Sequence, residues 1–201
     1  MSKVVVKGML DPASQAWVHA SHFLDLYLSF FRELVEAEKN KESEELDPLF
    51  NEFGQVYASW ATEEAFKVGL VTVYHHWEKC IKKLMSEQAE EQGLALLKNT
   101  TRLSFVEHTK LNLEAVFDCV VDSNVWEIID EAREIVNCFK HGTSDKFHKL
   151  YSLYPSYFDF SNTERVTDYS DHFILGAERF ERLGNNILEF WETLPREYVW
   201  S

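Results

Sequence analysis

A chain of 201 residues, 45% hydrophobic and 27% charged, is long enough to bury one sizeable core, and its seven glycines and four prolines interrupt helices rarely. It is expected to form one all-α domain over residues 1–201, a helical bundle with its core at about 12–193. The formal charge of −14 excludes binding to nucleic acid or anionic membrane through bulk charge, because a polyanion repels phosphates at long range.

Met1 to Leu10 lacks the apolar centre of a signal peptide. Asp11-Pro12 starts a helix, with a capping carboxylate followed by proline at the first helical position, and the pattern runs to about Lys39. Its most apolar run, Trp17 to Phe31, contains His19, His22 and Asp25 and is too short to span a bilayer. Those three polar residues form either the edge of a metal site lacking an identifiable fourth ligand or a polar seam on an otherwise apolar helix. Residues 38–45 read as an acidic linker, and Asp47-Pro48 opens a second helix that Gly54 weakens. A long helix is expected from about Thr62 to Gln92, with Phe66, Leu70, Val73, Tyr74, Trp77, Ile81 and Leu84 on one face and Gly93 as its stop.

Ser104-Phe105-Val106-Glu107 has the spacing of a capping box, in which hydroxyl and carboxylate satisfy free backbone N–H groups, and predicts a helix to about Val121. Asp122 or Ser123 caps the next helix, which Gly142 ends. Thr143 or Ser144 begins a short helix, residues 154–168 read as irregular structure or a short strand pair, and Ser170 is expected to cap a last helix closed by Pro195. Cys80, Cys119 and Cys138, odd in number and widely spaced, suit a reducing compartment, so the protein is expected in the cytoplasm and away from membranes.

The helix from Asp122 to Gly142 carries two faces. Val125, Ile129, Ala132, Ile135, Val136 and Phe139 recur at the three- and four-residue steps of a core face. Arg133, Asn137 and His141 fall about 100°, 140° and 180° from Ala132 and form a polar stripe that also takes in Trp126. A purely solvated face seldom carries a tryptophan, so Trp126 is expected at a dimer interface. Downstream, Lys140, His141, Lys146, His148 and Lys149 face only Asp145, a basic run in an acidic chain. No glycine-rich phosphate loop, paired Glu-x-x-His segments or Cys-x-x-Cys occurs. Asn137 to Gly142 is similar to the asparagine box of histidine-kinase-type ATPases, but the glycine-rich boxes that family needs downstream are missing.

Two separated stretches together resemble the HEPN superfamily, small helical bundles that include RNases of toxin–antitoxin, phage-defence and RNA-processing systems. Arg133 to Gly142 looks like that family's helix bearing Arg, a polar residue, then His and Gly, and Tyr74 to Lys82 is similar to its Tyr-x-x-Trp-Glu helix. The resemblance implies a metal-independent endoribonuclease with no cofactor. His141 would move the proton of a ribose 2′-OH, since an imidazole titrates near neutral pH, and Arg133 would stabilise charge on the phosphoryl oxygens. Asn137 would orient the histidine or a phosphate, with Lys140, Lys146, His76 and Glu78 in support. This chain departs from the family in one respect: seven residues separate Arg133 from His141, a wider gap than usual. That puts the two about 12 Å apart along the axis, with Arg133 leaning away from His141. The family commonly dimerises through this helix, so a homodimer is expected to bring one copy's Arg133 to the other's His141. The alternative is a non-catalytic helical interaction module, a partner in an antitoxin or defence complex, in which Asn137 and His141 finish a helix end and Glu78 pairs with Lys82.

Overall fold

The structure, a computed structural model, describes residues 29, 30, 33, 48–98, 103–118, 120–161 and 168–194, and for residues 48–58 the backbone alone. Of the expected first helix only Ser29, Phe30 and Glu33 are described, all helical, and His19, His22, Asp25, the acidic linker, Cys119 and Pro195 lie outside the described residues. The described residues form five α-helices and no strand, an all-α helical bundle as the periodicity predicts. No described helix is long and apolar enough to cross a membrane.

Helix α1 (Pro48–Gln92) is one continuous element of 45 residues, where the sequence predicted a weak helix followed by a long one. Gly54 does not interrupt it. Extending a formed helix costs little beside nucleating one, and the well-packed stretch from Phe66 onward supplies the nucleus. Gly93 ends α1 at φ +66°, with Leu94 N–H donating to the Ala89 carbonyl at 2.8 Å and Gly93 N–H to that of Glu90 at 3.1 Å. These two bonds close the last turn and use carbonyls that would otherwise be orphaned.

Helix α2 (Phe105–Phe117) begins at the predicted capping box: the Ser104 hydroxyl accepts from Glu107 N–H and the Glu107 carboxylate accepts from Ser104 N–H. It stops four residues short of Val121 because Asp118 turns left-handed at φ +49°, a conformation Asp tolerates better than most residues. Helix α3 (Ser123–His141) has Asp122 as its cap and Gly142 at φ +58° as its stop. Helix α4 (Ser144–Leu153) follows after Thr143. Beyond it, the described residues hold 3₁₀ turns at Pro155–Tyr157 and Ser170–His172 and an antiparallel bridge between Phe158 and Phe173.

Helix α5 (Ala177–Thr193) starts after Gly176, not at Ser170. Ser170 is engaged elsewhere, its N–H and hydroxyl both bonding the Asp168 carboxylate. The N–H groups of Leu175 and Gly176 donate instead to Glu63 of α1, a distant carboxylate favoured at a helix N-terminus.

Helix α3 packs against α1 and α5, and α2 and α4 flank it. Ile129, Ala132 and Ile135 of α3 are fully buried, as are Leu70 and Ile81 of α1 and Leu183 and Phe190 of α5. Phe190 sits at the centre, its ring 5.3 Å from Trp77 and 5.4 Å from Trp126, both edge to face. Such contacts favour the ring quadrupoles and fix the relative rotation of the three helices.

Candidate functional site

The outer face of α3 divides along its length. Trp126, expected at a dimer interface, is only 5% exposed and packs on Phe190 within the same chain. The stripe curves under α5 at its N-terminal end, where α5 shields a ring that a lone helix would expose. Trp126 is therefore a core residue.

One turn further on, Arg133 is held from two sides. Its Nε donates to Asp130 at 2.8 Å and its Nη2 to Glu134 at 2.6 Å, leaving the side chain 20% exposed. Burial works to lower the Arg133 pKa, but the hydrogen bond and charge of Asp130 and the charge of Glu134 outweigh it and raise it further. Glu134 is itself 8% exposed and takes a second cation, Lys149 of α4, at 3.0 Å. Among the described residues Nη1 of Arg133 makes no hydrogen bond, so one edge of the guanidinium remains for a ligand.

Asn137 lies half-buried a turn beyond, and the C-terminal end of α3 opens to solvent. Lys140 and His141 are both exposed there, as are Lys146 and His148 on α4. The Gly142 turn joins α3 to α4, and the Cys138–Lys146 hydrogen bond holds the start of α4 against the end of α3, so the basic run flanks one helix junction, a basic corner. Inside the corner, the Cys138 thiol donates to the Lys146 carbonyl at 3.3 Å. Burial first and the charge of Glu134 second push that thiol up to about 11.

The second predicted stretch lies on α1, which packs against α3. The Tyr74 phenol is buried and, among the described residues, without a hydrogen-bond partner. Burial drives its pKa up, with the charges of Glu78, Arg133, Asp130 and Glu134 also acting on it, so the two stretches are within electrostatic reach of each other. Glu78 bonds Lys82 at 2.6 Å and His75 at 3.1 Å on its own helix. Burial tends to raise its carboxyl, but those two hydrogen bonds and charges hold it below the usual range. Glu78 thus makes the Lys82 pair that helix spacing offers. His76 Nε2 is 3.5 Å from Cys80 Sγ.

Arg133 also lines a cleft of about 830 Å³ between α2, α3 and the end of α4. His141, Lys140 and Asn137 do not line it. The structure therefore separates the predicted site into two places on one chain: a basic corner with His141, and a cleft wall with Arg133. Sequence reasoning missed the residues that hold Arg133. The Asp130 pairing was visible as an i,i+3 spacing, whereas the Lys149 contact depends on how α4 folds back and has no local signal. Also unforeseen was Glu131, whose carboxylate accepts from Tyr157 Oη at 2.6 Å and from Arg182. It ties α3 to α5 and the first 3₁₀ turn.

Fold and surface together define an all-α bundle with a polar helix end exposed at one corner. The chain matches no protein-family model, no curated protein and no solved structure.

Proposed function

We propose that this chain is a metal-independent endoribonuclease of HEPN type, acting as a homodimer on RNA in a cytoplasmic toxin–antitoxin or phage-defence setting. The observation that carries the reading is the basic corner: exposed His141 and Lys140 beside exposed Lys146 and His148, on a chain whose charge of −14 otherwise repels phosphate. His141 takes the proton of a ribose 2′-OH as that oxygen attacks the adjacent phosphorus; the bond to the 5′-oxygen breaks, the 5′-oxygen takes a proton from water, and a 2′,3′-cyclic phosphate remains. Lys140 and Lys146 hold the flanking phosphates. Arg133 comes from the second copy, because within one chain it lies about 12 Å away along the axis and leans toward the helix N-terminus. Its fixed pose against Asp130 and Glu134 presents the free edge without a further entropy cost.

The test is purified protein with RNA in excess chelator. Wild type is expected to cleave, and His141→Ala to lose about 100-fold or more in rate. No cleavage by wild type, or undiminished cleavage by His141→Ala, removes the reading.

A second reading, a non-catalytic interaction module, is favoured by one specific observation: Arg133 is already engaged by two carboxylates in a cleft that three further carboxylates line. Expression separates the two readings. A toxic RNase arrests growth and His141→Ala relieves it, whereas equal growth with both proteins favours the module.

A further inference from the structure

We propose that the cleft between α2, α3 and α4 is a docking groove for a basic, amphipathic helix of a partner protein. The inference rests on the second reading, because a partner helix seated here covers Arg133.

The groove has an apolar floor and a charged rim. Val106 of α2 and Trp126 and Ile128 of α3 form the floor, and Leu153, 52% exposed at the end of α4, stands at the edge with Tyr154 beside it. Leu153 lines the same cleft as the half-buried Ile128 and Tyr154 and with them offers apolar surface that a partner can bury. Two helices flanking a third make the trough into which the apolar face of an added helix lies. The volume of about 830 Å³ accepts several side chains of such a helix.

Charge selects the occupant. Five carboxylates and three cations line the cleft. Asp130 and Glu134 are matched by Arg133 and Lys149, and Glu131 by Arg182. That leaves Glu127, and Glu107 whose carboxylate also accepts from Ser104 N–H in the capping box, against Lys110 as the remaining lining cation, on a chain carrying −14. An RNA backbone would meet this rim with repulsion, whereas lysines and arginines flanking an apolar stripe would meet complementary charge.

The test uses the full chain and a fluorescent 18-residue probe peptide with leucine at helical spacing and lysine elsewhere, read by anisotropy. A leucine–glutamate peptide of the same pattern and a single-stranded RNA oligonucleotide serve as comparisons. The lysine peptide is expected to bind, with affinity falling about tenfold or more in Leu153→Asp and in Glu127→Lys, and less than about twofold in the control Glu87→Lys/Glu90→Lys, which alters exposed α1 carboxylates outside the cleft. The inference is overturned by any of three results: no binding of the lysine peptide, equal losses in the cleft and control variants, or RNA binding that Lys110→Glu and Lys149→Glu abolish. Circular dichroism of each variant checks that it is folded. Cleavage in chelator is read separately, so failure of the groove leaves the nuclease reading standing, and failure of the nuclease leaves the groove.

Discussion

Cys138 and Trp126 sit on the same helix and show how a side chain's surroundings set its behaviour. The Cys138 ionisation moves from its usual 9.0 up to about 11, so the folded chain keeps a proton that the unfolded chain has lost. That contributes stability fully present below about pH 9 and lost as pH rises toward about 11. Burial pushes the Tyr74 and Tyr157 phenols upward too, so they act in the same direction at higher pH. Urea midpoints are expected to fall steadily above about pH 9, and less steeply in Cys138→Ala; a midpoint that rises over this range contradicts the assignment. Trp126→Ala is expected to cost about 3–5 kcal/mol, as for a large aromatic removed from a core. Because the ring packs within its own chain, the loss in Tm should be the same at low and high protein concentration. A concentration-dependent loss would return Trp126 to an interface. The sequence pattern placed this residue on the polar stripe because a single-helix projection does not know where a neighbouring helix crosses. Arg133 was legible as an outward-facing cation, but its capture by Glu134 and Lys149 was not, since that depends on the fold of α4.

Element ends were the most legible features, because capping is local chemistry. The Ser104 and Glu107 box, the Asp122 cap and the glycine stops at 93 and 142 all stand where residue type and spacing put them. Two boundaries were not legible for the opposite reason. The start of α5 is set by Glu63, more than a hundred residues away, and the continuity of α1 through Gly54 follows from tertiary packing downstream. The Gly142 turn bears most on the proposed site, since it joins the end of α3, with Lys140 and His141, to α4, with Lys146 and His148. A Cβ at Gly142 would meet nothing within 4 Å, so Gly142→Ala is expected to cost only the left-handed backbone penalty of about 1 kcal/mol. A denaturation loss several times larger would mean that the corner is packed more tightly than its open surroundings indicate.

At the scale of the whole molecule, the bundle holds His141 and Arg133 apart. All-α architecture, helix order and the α3 core face were readable from the 3.6-residue periodicity, whereas the division of the polar stripe between a basic corner and an acidic cleft required the packed structure. The division gives the account its central claim: the proposed active site needs Arg133 from one copy and His141 from the other. Arg133→Ala and His141→Ala, each expected to be inactive alone, provide the direct measurement when they are mixed, allowed to exchange subunits and assayed on RNA in chelator. Random reassortment makes half the dimers mixed, and each mixed dimer has one intact site of its two, so about a quarter of wild-type activity should return. If the mixture stays as inactive as its components while subunit exchange is verified by mass, the shared site does not exist.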